Sequence, residues 1–290
     1  LANSYLTLDL YPKSLELYND ITKNYSQSIH AKDSYAKIGM IYYNMGKEQE
    51  ALNFLKKVVE KYPGTEEAKS ALNNIKTIYV ESNRVDDFIA YTKKIPEAEI
   101  SQSEQDSISY QAIENQYMSG DCQGAINGFK KYIENYPDGA FYISANYYLA
   151  DCLSKQSDTQ EALTAYENII SKPKNAFTEK SLLKAANINF ESKNYEGALQ
   201  KFSLLEQIAE ISNHKLQALS GAMECYFILS KYDSTIITSN KILSLEKIDE
   251  NTSEKASYLL AKSLLQNGNS GQAIEEFKKL TNAKNTEYAS

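Results

Sequence analysis

A mostly small residue recurs every 36 to 38 positions along this chain and constrains its fold more than any other feature. The successive spacings are 37, 37, 37, 37, 36, 37 and 38 residues. A fixed period of this size is the signature of a repeat architecture, in which each unit packs only on its neighbours. We call the eight positions the anchors and number the repeats around them 1 to 8. The anchors are Ser14, Ala51, Phe88, Ala125, Ala162, Ala198, Thr235 and Ala273.

Bulky side chains follow most anchors at helical spacing. Positions i, i+4 and i+7 share one face of an α-helix, so each repeat is predicted to contain an amphipathic second helix. The small anchor lets a first helix cross it closely. Four residues after the anchors stand Tyr18, Leu55, Thr92, Phe129, Tyr166, Phe202, Ser239 and Phe277. Seven residues after them stand Ile21, Val58, Ile95, Tyr132, Ile169, Leu205, Ile242 and Leu280.

The first helix of repeat 2 carries a familiar set of residues. Tyr35, Ile38, Gly39 and Tyr42 precede the anchor Ala51 at the spacing of the tetratricopeptide pattern. The chain therefore resembles the tetratricopeptide-repeat (TPR) superfamily over essentially its whole length. The resemblance implies an all-α fold, a right-handed superhelical solenoid of about eight helix-turn-helix units. The expected units are approximately 1–28, 29–64, 65–100, 101–138, 139–174, 175–211, 212–249 and 250–290.

Repeat 3 departs most from the pattern. Phe88 replaces the small anchor, and Lys76 stands where repeat 2 has Gly39. We expect looser helix packing in this repeat, and the polar stretch 95–107 is a candidate hinge.

The residues of repeats 4 and 5 indicate which branch of the superfamily the chain resembles. A Tyr-Pro-Asp-Gly break at 136–139 is followed by the segment Tyr-Tyr-Leu-Ala at 147–150. This arrangement is similar to a Gram-negative cell-envelope branch of the superfamily, of the type of the Tol-Pal-associated periplasmic protein and the outer-membrane assembly lipoprotein. The resemblance implies a location in the periplasm or cell envelope of a Gram-negative bacterium, with a cytoplasmic location as the alternative.

Charge and hydropathy argue against two classes of partner. The chain has 31 basic and 38 acidic residues and a formal net charge of −7. Nucleic-acid binding needs clustered lysine and arginine. Here cations are mostly interleaved with anions, so no nucleic-acid partner is expected. No run of about 18 apolar residues occurs, so no integral membrane segment is expected in this chain.

Residues that could support catalysis or metal binding are scattered. No phosphate loop, metalloprotease motif or nucleophile elbow occurs, and we predict no enzyme activity, no cofactor and no metal site. Cys122, Cys152 and Cys225 are widely spaced and are expected to be small core or turn residues without a disulfide framework. His30 and His214 are expected to be solvated turn or capping residues.

The first helices of such a solenoid line its concave face. Positions 15, 11, 8 and 7 residues before each anchor then point into the groove, and through the middle of the array many of them are aromatic or acidic. Such side chains suit a peptide-binding hot spot, so we predict that a protein or peptide partner with basic residues binds there. Inter-repeat packing is the alternative role for the aromatic residues. The predicted partner-binding residues are Tyr43, Tyr110, Glu114, Tyr117, Tyr147, Asp151, Phe190, Glu224, Phe227 and Tyr258.

The leading hypothesis is a non-catalytic protein–protein interaction scaffold of a bacterial cell envelope. A sensory or regulatory region of a larger signalling protein is the second, and a glycan-binding or hydrolase-associated module is the third. The array begins part-way through a first repeat and ends soon after the last second helix. Because solenoids need solvated ends, self-association through uncapped ends is a further expectation.

Overall fold

The computed structural model describes residues 1–280, and within them the chain is helical, with sixteen α-helices, one 3₁₀ turn and no strand. The predicted all-α solenoid is confirmed. The first helices are α1 (Ala2–Thr7), α3 (Ala31–Asn44), α5 (Glu66–Glu81), α7 (Gln102–Met118), α9 (Tyr142–Lys155), α11 (Thr178–Glu191), α13 (Ser212–Ile228) and α15 (Glu250–Gln266). The second helices are α2 (Tyr11–Asn24), α4 (Glu48–Lys61), α6 (Val85–Thr92), α8 (Cys122–Asn135), α10 (Thr159–Ile170), α12 (Tyr195–Ile208), α14 (Tyr232–Leu243) and α16 (Ser270–Lys279).

Every anchor lies in a second helix and is buried, with at most 1% of its surface exposed. The polar anchors Ser14 and Thr235 donate their hydroxyls to backbone carbonyls, of Ala2 at 3.1 Å and of Lys231 at 3.2 Å. A polar group is tolerated in a core when it is hydrogen-bonded in this way. The 37-residue recurrence therefore marks one continuous packing position rather than a surface pattern.

The turn between the two helices has the same geometry in every repeat. Five residues before each anchor the backbone enters the left-handed region, with φ between +53° and +85°. The next residue donates its N–H to the carbonyl five residues earlier, for example Lys47 to Tyr42 at 2.8 Å, which is the Schellman arrangement. Glycine, which adopts this conformation without strain, occupies three of the eight positions: Gly46, Gly120 and Gly268. The other five are Asp9, Asn83, Ser157, Lys193 and Ser230.

The helices group into two compact units, an N-terminal unit, Leu1–Tyr142, and a C-terminal unit, Ile143–Ser290. Within each, first helices pack on the first helices of neighbouring repeats: α3 on α5 and α5 on α7, and α11 on α13 and α13 on α15. No pair of second helices in the described residues packs to a comparable extent. First helices therefore form the inner wall of each unit and second helices its outer wall.

Repeat 3 differs from its neighbours in its second helix. The helix α6 has only eight residues, and the Phe88 ring fills the anchor position. Lys76 on α5 forms an ion pair with Glu104 on α7 at 3.1 Å. A 3₁₀ turn, Pro96–Ala98, leads to Ser101, whose hydroxyl caps α7. The stretch 95–107 is thus this linker and the first six residues of α7, and its role as a hinge stays a prediction.

Candidate functional site: an inner groove in the C-terminal unit

A cavity of about 490 Å³ opens on the inner wall of the C-terminal unit. It lies between α11 and α13, with α12 behind it and the start of α15 at one end. Two of the predicted binding residues, Phe190 and Glu224, line it. The full lining is Leu183, Asn187, Phe190, Phe202, Asn213, Leu216, Gln217, Ser220, Gly221, Glu224, Asp249 and Thr252.

The floor of this cavity is apolar because a glycine lets an aromatic ring approach the groove. A Cβ added to Gly221 on α13 would lie 2.3 Å from Cζ of Phe202 on α12. The Phe202 ring therefore occupies the space that the Cβ of any other residue at position 221 would fill. Leu183 and Phe190 from α11 pack on the same cluster and extend the apolar floor.

Four neutral polar side chains line the cavity and form no side-chain hydrogen bond with any described residue: Asn187, Asn213, Gln217 and Ser220. Amide side chains both donate and accept hydrogen bonds, as does a peptide backbone. Asn213 and Gln217 lie in the first two turns of α13, before the positions from which the sequence predicts the groove. Asn213 lies in the N-terminal extension of α13, which has 17 residues where α11 has 14, whereas Gln217 lies at a position that α11 also contains.

The two carboxylates of the cavity already have partners. Glu224 forms an ion pair with Lys255 of α15 at 2.6 Å. Asp249 caps α15, accepting from the Thr252 N–H at 2.9 Å and from its hydroxyl at 2.6 Å. Hydrogen bonds from Thr252 lower the pKa of Asp249. The negative charge expected to attract a basic partner is therefore partly satisfied within the protein.

Tyr110 is the predicted groove residue that the structure places furthest from an open surface. It is 5% exposed, and its ring stacks on Phe141 with a centroid distance of 4.4 Å. Its hydroxyl donates to Glu114 at 2.8 Å. The prediction of an open groove position is wrong for Tyr110, because the linker after α8 folds against α7 and covers it.

Tyr147 and Asp151, on α9, are also engaged within the protein. Tyr147 is half-buried, with its ring centroid 4.5 Å from that of Phe177 in the linker before α11. Burial raises its pKa, and the nearby charge of Asp151 adds to the effect. Asp151 forms an ion pair with Lys155 at 2.7 Å. Tyr147 thus packs one repeat on the next, as the alternative role for the aromatic residues requires.

Tyr43 and Tyr117 are half-buried on the inner wall of the N-terminal unit. Tyr43 donates its hydroxyl to Glu81, one repeat further on. Tyr117 lies against Phe129 at a centroid distance of 6.5 Å. Both tyrosines therefore take part in helix packing and leave only part of their surface to a partner.

Phe227 and Tyr258 lie beyond the cavity, where they flank one cation. Nζ of Lys262 lies 5.4 Å from the Phe227 ring centroid and 5.0 Å from that of Tyr258. These residues form a second cluster on the inner wall, and neither aromatic residue lines the cavity. The structure thus distributes the predicted site over several places and brings only Phe190 and Glu224 together at the cavity.

The N-terminal unit has a smaller counterpart of about 330 Å³. Met40 and Ala36 of α3 line it at the positions that Asn187 of α11 and Ser220 of α13 occupy relative to their own anchors. Its charged residues are paired: Asp33 with Lys37 at 3.7 Å and Glu67 with Lys32 at 3.0 Å are two examples.

Comparison with known families identifies the architecture. A tetratricopeptide repeat-like domain model matches residues 88–217, and tetratricopeptide repeat models match residues 33–65 and 254–287. These three stretches of the chain therefore match tetratricopeptide repeats (TPR). TPR domains generally mediate protein–protein interactions and are generally non-catalytic.

Several solved structures resemble this TPR chain at low sequence identity. The MamA protein is 14% identical with a TM-score of 0.48, covering 62% of this chain and 91% of its own. The C-terminal part of a TPR protein from Cytophaga hutchinsonii is 14% identical with a TM-score of 0.45, covering 87% and 97%. A TPR protein from Parabacteroides merdae is 15% identical with a TM-score of 0.34, covering 90% and 98%. No curated protein sequence matches the chain significantly.

One of the two histidines of this TPR chain differs from its predicted setting. His30 is exposed at the start of α3, as expected. His214 is largely buried, and its Nδ1 lies 2.8 Å from the Glu179 carboxylate. That carboxylate also accepts the Glu210 N–H at 2.9 Å. Burial alone would raise the pKa of Glu179, but hydrogen bonds from the Glu210 backbone, His214 and the Ile211 backbone lower it.

The cysteines correct a second expectation. Cys122 and Cys152 are each disulfide-bonded, whereas the spacing of the cysteines predicts no disulfide framework. Disulfide formation depends on the distance between thiols in the tertiary fold, so spacing alone could not show it. Cys225 is a buried free thiol, and burial raises its pKa to about 12, which makes it a poor nucleophile.

Two further findings concern the described residues of this TPR chain. Between residues 1 and 280, no group of three or more His, Cys, Asp or Glu side chains is arranged to hold a metal ion. In the same range, no helix combines the length and the apolar character needed to cross a membrane.

Proposed function

We propose that this TPR chain is a non-catalytic scaffold that binds an extended segment of a partner protein in the cavity between α11 and α13. One observation carries the proposal: an apolar floor lies beneath four polar side chains that form no side-chain hydrogen bond within residues 1–280. Ligand sites in proteins combine a mostly apolar concave surface with a few convergent polar groups.

The floor and the rim would hold different parts of the partner. An apolar side chain of the segment packs against Phe202 and Leu183, and burying it contributes about 1.5–3 kcal/mol. Asn187 and Gln217 exchange hydrogen bonds with the backbone of the segment, as amides can. Glu224 and Asp249 at the edge favour a basic residue flanking the apolar one.

A matched pair of bulky substitutions tests this proposal. Ser220→Trp fills the C-terminal cavity, and Ala36→Trp fills the smaller N-terminal one from the same position relative to its anchor. The probe is a fluorescent peptide selected on the wild-type protein from a random decapeptide library. We expect Ser220→Trp to weaken its binding about 10-fold or more, because it occupies the centre of the site.

Ala36→Trp should leave the affinity within about twofold, as a change outside the interface does. Circular dichroism spectra with unchanged helical content show that both variants are folded. The proposal is contradicted if the two variants bind equally well, or if no peptide is selected.

We further propose that the protein works outside the cytoplasm, in the envelope of a Gram-negative bacterium. The oxidised state of Cys122 and Cys152 supports this location, because disulfides persist in oxidising compartments and are rare in the cytosol. The similarity of repeats 4 and 5 to envelope TPR proteins points the same way. The protein is isolated from its natural source, denatured and alkylated. Without a reducing agent, alkylation should label Cys225 alone; after reduction, it should label all three cysteines. Three labelled thiols without reduction would contradict this location.

A further inference from the structure

A charge pattern on the outer side of the N-terminal unit is not explained by the groove. Lysine pairs stand five and six residues after the anchors of repeats 2, 3 and 4, and successive pairs are 37 residues apart. One position repeated in neighbouring repeats forms a row along a solenoid. We call this row the lysine stripe; its members are Lys56, Lys57, Lys93, Lys94, Lys130 and Lys131.

The stripe lies away from the core. Every member except Lys56 is exposed. Lys56 is half-buried, with its Nζ donating to the Tyr79 hydroxyl at 2.9 Å and lying 4.7 Å from the Tyr91 ring centroid. Because α4, α6 and α8 form the outer wall of the unit, the exposed lysines project from that wall.

Much of the stripe is not neutralised by the protein. Lys57, Lys93 and Lys94 form no ion pair with any described residue, whereas Lys131 pairs with Asp86. The helix dipole favours cations only in the last turn of a helix. That effect covers Lys93, at the end of α6, but not Lys57 or Lys131, which precede the last turns of α4 and α8. Three of the six lysines therefore carry a charge that no described carboxylate pairs with, on a chain whose net charge is −7.

The surroundings of the stripe favour a lipid surface over a folded protein or a nucleic acid. None of the exposed large hydrophobic residues in the described chain lies on α4, α6 or α8, so the apolar anchors that protein interfaces use are missing. Arg84 is the only arginine in the chain, and it is held by Glu48 and by the Tyr79 ring. Lysines act as point charges on flexible stems and need no fixed geometry in their partner.

We propose that the lysine stripe is a peripheral docking surface for a bilayer that contains anionic lipids. Such lipids are mobile and can gather beneath lysines at any spacing. Each exposed lysine near an anionic bilayer strengthens binding about fivefold. The attachment is reversible and sensitive to salt, because ions screen exposed charges. It does not depend on the peptide groove, so either proposal can fail without the other.

Vesicle sedimentation with the full chain tests this proposal. The vesicles are phosphatidylcholine alone or with about a third phosphatidylglycerol, an anionic lipid. The stripe variant is Lys57→Gln, Lys93→Gln and Lys94→Gln. The control variant is Lys184→Gln, Lys231→Gln and Lys247→Gln, three exposed C-terminal lysines without ion pairs. Both variants lose the same charge.

We expect the wild-type chain to bind the anionic vesicles at low salt and to dissociate at about 0.5 M salt. The stripe variant should bind about 100-fold more weakly, and the control variant within about threefold of wild type. Equal losses in the two variants would overturn the proposal, as would absence of binding or equal binding to neutral vesicles. Poly-glutamate and a short duplex DNA serve as competing ligands, and tighter binding to either one overturns the assignment to lipid.

Discussion

The two units share one repeat geometry and differ in the surfaces that they present. On the inner wall, the C-terminal cavity has four polar side chains that form no side-chain hydrogen bond with a described residue, whereas charged side chains around the N-terminal cavity are bound in ion pairs. On the outer wall, lysine pairs occur in three successive repeats of the N-terminal unit, repeats 2 to 4, and in the C-terminal unit only in repeat 8, at Lys278 and Lys279. Repeats 5 to 7 have other residues at these positions: Glu167 and Asn168, Ser203 and Leu204, and Asn240 and Lys241. The repeat fixes the core, and the surface positions are free to differ.

Each unit contains a buried carboxylate that accepts a hydrogen bond from the backbone of a linker. Asp106 and Glu179 each stand 19 residues before their own anchors, and each is more than nine-tenths buried. Asp106 accepts the Ala140 N–H at 2.8 Å, and Glu179 accepts the Glu210 N–H at 2.9 Å. Each carboxylate therefore ties the linker of the next repeat to its own first helix. Their second partners differ: Tyr132 for Asp106 and His214 for Glu179.

The largest effect is expected from removing the carboxylate in the N-terminal unit. Asp106→Ala leaves the Tyr132 hydroxyl and the Ala140 N–H without their acceptor. We expect it to lower the free energy of unfolding by about 3 kcal/mol, measured by urea denaturation. Ser103→Ala, an exposed change on the same helix, should stay within about 0.5 kcal/mol. A similar small change for Asp106→Ala would show that the linker is held by other contacts.

The glycine beneath the C-terminal cavity sharpens the comparison of the two inner walls. Gly221→Ala forces Phe202 out of its place and should cost about 2 kcal/mol of stability. It should also weaken binding of the groove peptide. Gly271→Ala is the control, since a Cβ there meets nothing within 4 Å. Unchanged stability and peptide binding in Gly221→Ala would mean that the ring does not need the space of the glycine.

Opposite substitutions at the left-handed turn positions should change the stability of the protein in opposite directions. Lys193→Gly relieves a φ of +61° in the C-terminal unit and should stabilise the protein by up to about 1 kcal/mol. Gly120→Ala places a side chain at a φ of +85° in the N-terminal unit and should destabilise it by about 1 kcal/mol. Thermal unfolding measures both. Changes of the same sign would contradict the shared turn geometry.

The smallest effect on stability is expected from protonation of Glu179, in the C-terminal unit, as the pH falls. The folded pKa of Glu179 lies below its ordinary value of 4.5. Its contribution to stability is therefore present above that value and is lost as the pH falls through the folded pKa. Denaturation midpoints measured from pH 6 down to about pH 3 should fall less steeply for Glu179→Gln than for wild type. Parallel curves would show that Glu179 does not couple folding to protonation.

The sequence predicts the fold because the core is periodic. All eight anchors are buried, and Phe88 shows that even a large residue at this position stays inside. The binding residues are predicted less well. Phe190 and Glu224 reach the cavity, whereas Tyr110 is covered by Phe141, which lies 31 residues further along the chain. Helical periodicity gives the direction of a side chain on its own helix, but not the path of a linker that covers it.

The sequence by itself determined the helical class, the number of repeats and the residues at the centre of each, because every repeat buries the same seam through local spacing. Tertiary structure decided which inner-wall residues stay accessible. It packed Tyr110 against a linker, paired Glu224 with Lys255 and left the Gln217 amide without a hydrogen bond to any other described side chain. These outcomes depend on contacts between helices and linkers of different repeats, and periodicity within one repeat carries no information about them.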